Sequence, residues 1–150
     1  MSPLEVGDTA PEIPGIRFGD GPVGLLFYKV TCPTCQLAAP VMGHFHRAFP
    51  GRVIGIGQDP EPDLARFTAT YEMGIDSIED APPYEVSDAY AVVSVPTLFL
   101  VGDDARVAEA VGAWDRAGFN RVAATLAHRT GSAPVVVSTP ADGLPEFKPG

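Results

Sequence analysis

Cys32 and Cys35 are the only cysteines in the chain, and they enclose Pro33 and Thr34. On a helix, residues three apart lie on one face a turn from each other, so these two sulfurs can pass between a dithiol and a disulfide. A loop this short constrains the unfolded chain little, which makes the pair a poor structural staple. A redox couple or part of a metal site is the better reading. In disulfide exchange the reacting species is a thiolate, stabilised by the unpaired amides and the dipole at a helix N-terminus. Cys32 would occupy that place as the nucleophile. Cys35, one turn further in and better shielded, would resolve the mixed disulfide formed at Cys32. A zinc site would need further ligands, and the nearest are His44 and His46. No second ligand pair with the usual spacing occurs, and both histidines fall at or off the edge of an apolar helical stripe, so no metal is expected.

Local structure must place the cysteines at that helix start. Val23 to Val30 is an almost continuous apolar run, suited to a central strand covered on both faces. Leu37, Val41, Phe45 and Phe49 follow at i, i+4 spacing, so the strand ends and a helix begins at the cysteines, with Pro33 at its first position. Pro40, inside that helix, should kink it. Arg52 to Gly57 reads as a second strand, and Asp59 as the cap of a helix burying Leu64, Phe67 and Tyr71. Strand, helix, strand, helix implies parallel pairing.

Further on, Pro82-Pro83 marks a loop and Glu85 to Ala91 a short helix. Val95 to Val101 is a third strand, and Arg106 to Val111 returns antiparallel to it, which makes the sheet mixed. A last helix, capped by Asp115, turns Phe119, Val122 and Leu126 inward and stops at Gly131. The chain thus divides into an N-terminal extension packed on the domain (1–22), an α/β domain (23–131) and a tail (132–150). The tail holds four prolines and reads as either disordered or laid over the surface. Its close on Phe147-Lys148-Pro149-Gly150 shows no helical or strand pattern, which leaves room for a reading frame that runs on past a recoded codon.

With 150 residues, 45% of them hydrophobic and 19% charged, the chain can form one core that buries about 70% of the unfolded surface. Disorder throughout is excluded. The net charge of −9 repels phosphate backbones and anionic bilayers, so neither nucleic acid nor membrane is an expected partner. The longest apolar runs are far below the roughly 20 residues of a bilayer span. The start lacks the basic residues and apolar run of a secretory signal, so a cytoplasmic location is expected.

The chain resembles the thioredoxin superfamily, most closely its redoxin and cytochrome-maturation branch. Val6-Gly7-Asp8-Thr9-Ala10-Pro11 looks like the redoxin-type opening, and Phe27 to Cys35 aligns without gaps on the strand and active-site block. Pro40 matches the helix kink of that superfamily, Val95-Pro96-Thr97 its cis-proline loop, and Gly112 the glycine before its last helix. The resemblance implies a thioredoxin-like fold, a central mixed sheet flanked by helices. It also implies that Pro96 is cis and faces the cysteines, although a trans proline opening a strand is what the residues alone would favour. Pro33, Thr34, Val95 and Pro96 would then line a groove in which the Val95 backbone pairs with an extended substrate segment. The implied activity is exchange of protein disulfides by a monomer, with no cofactor beyond the Cys32–Cys35 disulfide. A thioredoxin-reductase-like system or glutathione would supply the electrons.

The chain also departs from the pattern. Leu26 stands where thioredoxins bury an acid, Ala38 where the cytochrome-maturation branch has a glutamate, and Thr31 where a tryptophan is common. Lys29 and Asp59 are the nearby charges that could handle the proton of the inner cysteine, though each reads more simply as a solvated charge at a strand end. The lone tryptophan, Trp114, reads as packing. Two alternatives to the exchange enzyme are a peroxiredoxin-like thiol peroxidase and a non-enzymatic module binding metal or a partner. The peroxidase would require a proline and a threonine upstream of its cysteine at set spacing, and only Thr31, adjacent to Cys32, is present. Pro-Thr between the cysteines is nearer the glutaredoxin type than the thioredoxin type, so equilibration with glutathione buffers should give a potential between about −270 and −200 mV. A value above about −150 mV, towards the strong oxidants, would reject a reductase.

Overall fold

The structure is a computed structural model describing residues 2–150. Its centre is β1 (Val23–Tyr28), every residue of which is buried. On one side β1 pairs in parallel with β2 (Val53–Gly57), Gly24 opposite Val53 and Tyr28 opposite Gly57. On the other it pairs antiparallel with β4 (Thr97–Val101), Val23 opposite Val101 and Phe27 opposite Thr97. The edges are β3 (Ser77–Glu79), parallel to β2, and β5 (Val107–Gly112), antiparallel to β4. The order β3-β2-β1-β4-β5 is thus a mixed sheet with helices on both faces, the thioredoxin-like arrangement.

Alternation along the central strands sorts the core into two layers. Leu26 and Tyr28 of β1, with Leu98 and Leu100 of β4, face α1 (Pro33–Ala48), α2 (Glu61–Thr70) and α4 (Arg116–Thr130). Leu25 and Phe27, with Phe99 and Val101, face the opposite way, towards Ala10, Ile13 and Phe18 of the N-terminal extension and towards Tyr90, which follows α3 (Glu85–Ala89). Phe27, Tyr90 and Phe99 pack there with ring centroids 5.2–5.7 Å apart. A bridge from Thr9 to Arg106 and the hydrogen bond from Tyr90 Oη to Pro11 O (2.6 Å) tie the extension down.

Several local expectations are corrected. The N-cap of α2 is Pro60, without a side-chain hydrogen bond, because the Asp59 carboxylate is engaged elsewhere, with the amide of Val30. Asp115 stands at the N-cap of α4 but makes no capping bond, and the helix begins at Arg116. The three-residue β3 is too short to show a period of two in sequence. The short helix ends at Ala89 rather than Ala91. Pro40, where a kink is expected, lies exposed inside α1.

The tail is laid over the surface rather than disordered. Asn120 Oδ1 accepts from the amides of Val137 and Ser138 (2.9 and 3.1 Å), its Nδ2 donates to Ser138 O (2.8 Å), and Val137 is buried against α4. Arg116 donates to Leu144 O (2.7 Å) and pairs with Asp142 at 3.2 Å. Trp114, fully buried and stacked edge-on to Phe119, donates from Nε1 to Pro145 O at 2.7 Å. Contrary to the sequence expectation, the tail ends in a strand. The two-residue β6 (Trp114–Asp115) and β7 (Phe147–Lys148) pair antiparallel, a contact between segments too short to carry a pattern of their own.

Gly43 illustrates how closely the layers fit. In an exposed helix Gly→Ala gains about 1 kcal/mol. Here an added Cβ would lie 2.7 Å from the backbone oxygen of Glu72, which cannot swing aside as a flexible side chain could. Overpacking of that kind costs about 1–3 kcal/mol. Gly43→Ala is therefore expected to destabilise the fold by about 1 kcal/mol, read as a lower urea midpoint; an unchanged or higher midpoint would show that the 72–73 loop yields.

Candidate redox site

The cysteines sit where β1 gives way to α1. Cys32 is the N-cap of α1, with extended backbone (φ −83°, ψ 115°), and Pro33 is the first helical residue. The reason is local: proline fixes φ for a first turn and lacks the amide that position would leave unpaired. Cys32 Sγ takes the place of a capping oxygen and accepts from the amide of Cys35 at 3.2 Å. A sulfur receiving such a bond at a helix start is stabilised when it carries charge. Cys32 is half-buried, Cys35 is buried at 1% exposure, and both are free thiols. Burial pushes the Cys35 thiol well above the ordinary range, and the hydrogen bond and charge shared with Cys32 and the charge of Asp59 push the same way. A backbone hydrogen bond from Lys29 opposes them.

The loop between strand and helix is pinned at several points. Cys32 N donates to Lys29 O (3.2 Å), Gln36 Nε2 to Val30 O (3.0 Å) and Gln36 N to Cys32 O (3.0 Å). Val30 N donates to Asp59 Oδ2 at 2.8 Å. Asp59 is accordingly a half-buried acid tying the end of β2 to the cysteine loop, not a solvated charge at a strand end. Its position was visible as a candidate in sequence; its partner, 29 residues away, was not.

The Val95-Pro96 peptide bond is cis, as the resemblance implied and the residues alone did not. Cys32 Sγ lies 3.6 Å from Val95 O, its acceptor. Pro33, Thr34, Val95 and Pro96 are therefore brought to one place with the two cysteines. Pro33 is exposed and Pro96 buried. Thr34 is buried at 2% exposure, and its hydroxyl donates at 2.7 Å to the carbonyl of Pro149, so the tail reaches the site as well. His44 and His46 are exposed on α1, His44 beside Arg47 at 2.7 Å. Among the described residues, no three His, Cys, Asp or Glu side chains gather as a metal site would require. Nor is any helix among them long and apolar enough to cross a membrane.

Sequence reasoning also missed a buried network behind the loop. Asp80 accepts from the amides of Val86 and Ser87 (3.0 and 2.8 Å) and from Ser87 Oγ (2.7 Å), and Gln58 Nε2 donates to that same hydroxyl at 3.0 Å. Gln58 N donates in turn to Tyr28 O (3.0 Å), so the ends of β1 and β2 and the start of α3 are joined. An acid before a proline pair is the only signal of it in the sequence.

No curated protein matches the sequence. Solved structures do. The chain is similar to MTB dsbF, solved in mixed oxidized and reduced forms, at 28% identity over 60% of this chain and 68% of that one, TM-score 0.53. A thiol:disulfide interchange protein from Bacteroides sp. aligns over 87% of this chain and 93% of its own, with 19% identity and TM-score 0.69. A thioredoxin family thiol:disulfide interchange protein from Chlorobium tepidum TLS covers 82% and 98%, with 17% identity and TM-score 0.64. The last two likenesses concern the fold. Residues 17–110, more than half of the chain, match the AhpC/TSA family. They take in the cysteine junction, the cis-proline loop and all of the sheet but the last two residues of β5. This chain therefore belongs to the AhpC/TSA family, as a redoxin-type protein of the thioredoxin superfamily.

Proposed function

We propose that the chain is a thiol-disulfide oxidoreductase that reduces or exchanges protein disulfides through Cys32 and Cys35. The observation that carries this reading is the pairing of a half-buried sulfur at a helix N-terminus with a fully buried one a turn behind it. The half-buried sulfur lies beside a backbone carbonyl, that of Val95, that can orient an extended segment. Cys32 thiolate attacks one sulfur of the substrate disulfide, forming a mixed disulfide and releasing the other sulfur as a thiolate. Cys35, after losing its proton, attacks Cys32 Sγ and releases the second substrate thiol. Two electrons have passed to the substrate, and a Cys32–Cys35 disulfide remains. A thioredoxin-reductase-like protein or glutathione then restores the dithiol. Monomeric action in the cytoplasm, without a further cofactor, completes the reading.

Insulin-disulfide reduction tests it. Cys32→Ser should be inactive, whereas Cys35→Ser should accumulate a mixed disulfide detectable by mass spectrometry. Equal reactivity of the two variants would overturn the assignment of roles. Membership of the AhpC/TSA family favours one other reading, a thiol peroxidase, and peroxide consumption discriminates it. Slow thiol oxidation alongside rapid insulin reduction is expected; the reverse would make the chain a peroxidase.

The raised pKa of Cys35 sets a pH dependence. Only its thiolate attacks, and below the pKa the thiolate fraction grows with pH, so resolution of a preformed mixed disulfide should accelerate by about tenfold per pH unit between pH 6 and 8. Stopped-flow measurement of that step decides it. A rate flat across this range would mean that another group removes the proton within the complex.

A further inference from the structure

The groove beside the cysteines is already occupied by the chain itself. The tail is fastened in sequence by Arg116 to Leu144, by Trp114 Nε1 to Pro145 O, by Arg116 N to Glu146 O at 2.9 Å and by the pairing of β6 with β7. Beyond that pairing, Thr34 Oγ1 donates to Pro149 O at 2.7 Å. Gly150 then lies so close to Val95 O and Pro96 that a side chain on it would run into the Val95 carbonyl. These are the atoms a bound peptide would use. Val95 O neighbours Cys32 Sγ, and Thr34 lies between the cysteines.

We infer that residues 145–150 are an intramolecular cap on the groove, an extended segment held where a substrate segment would lie, which must lift before a protein disulfide reaches Cys32. The inference rests on the oxidoreductase reading for what is regulated, and on geometry alone for the cap. Its last two residues are the movable part. Pro149 and Gly150 lie past the β6–β7 pair, and Pro149 is fixed by a single hydrogen bond from a neutral hydroxyl. Upstream, the side chains of Arg116, Trp114 and Asn120 hold the tail through seven hydrogen bonds, five donated and two accepted by Asn120 Oδ1, and the Arg116 amide donates one more, so the anchor stays while the tip releases. Tethering gives the tip a millimolar effective concentration, so even weak docking closes the groove much of the time. Substrate then binds with an apparent affinity reduced by the fraction of open chains.

The test compares the intact chain with one lacking Pro149 and Gly150 and with Gly150→Val, whose side chain would strike the Val95 carbonyl without shortening the tail. Insulin reduction should show KM lowered several-fold in both, with kcat little changed; tenfold would correspond to about 1.4 kcal/mol of docking. In a Cys35→Ser background, where Cys32 is the single thiol, a bulky maleimide should label both several-fold faster than the intact tail permits. If the shortened chain does not fold, Gly150→Val carries the comparison. Unchanged KM and unchanged labelling in natively folded variants would overturn the cap while leaving the enzyme reading intact. Faster labelling, with no chain reducing insulin, would uphold the cap and sink the enzyme reading.

Discussion

The junction between β1 and α1 depends on one hydrogen bond that crosses the sheet, from Val30 N to the carboxylate of Asp59. Without a partner that amide would face the end of the sheet unpaired, and the loop carrying Cys32 would lose its side-chain tie to β2. With it, the end of β2 sets the position of the loop, Gln36 ties the first turn of α1 back to Val30 O, and Cys32 falls where the amide of Cys35 can reach its sulfur. The chemistry proposed for the pair therefore rests on an acid that is not part of the motif. The same carboxylate adds negative charge near the inner thiol, so the residue that builds the site also holds back the ionisation of Cys35.

How far the sequence discloses this arrangement follows from the range of each interaction. The central strand, the helix after it and the place of the cysteines between them are written in contiguous residues, since Val23–Val30 and the Leu37, Val41, Phe45 stripe are local patterns. The cis state of Pro96 is not local, and only the likeness to a known family pointed to it. Asp59 failed as a cap because an Asp before a helix has two possible partners, and the amide it takes lies 29 residues away. Asp80 is a similar case: its partners Val86 and Ser87 follow a proline pair, with no periodicity to announce them. β3, β6 and β7, of three, two and two residues, are too short for a hydrophobic period to repeat.

The missing family acids gain meaning from the layering of the core. Leu26 and Ala38 are both buried in the layer between the sheet and α1, packed with Cys35, Met42 and Phe45. A carboxylate there would have to be desolvated among apolar side chains, at a cost of several kcal/mol unless paired. The chain instead keeps that layer apolar and puts its nearest acid at the rim, where Asp59 is half-exposed and hydrogen-bonded.

The attachment of the tail has a practical side for anyone handling the protein. Because Pro149 and Gly150 lie against Thr34 and Val95, whatever follows Gly150, further polypeptide as much as an affinity tag or a fluorescent fusion, begins its path within reach of Cys32. An added group either dislodges residues 149–150 or crowds the reacting sulfur, and the two would pull a measured rate in opposite directions. A label meant to report on this protein is best placed on an exposed face away from the groove, such as the outer side of α1 near His46.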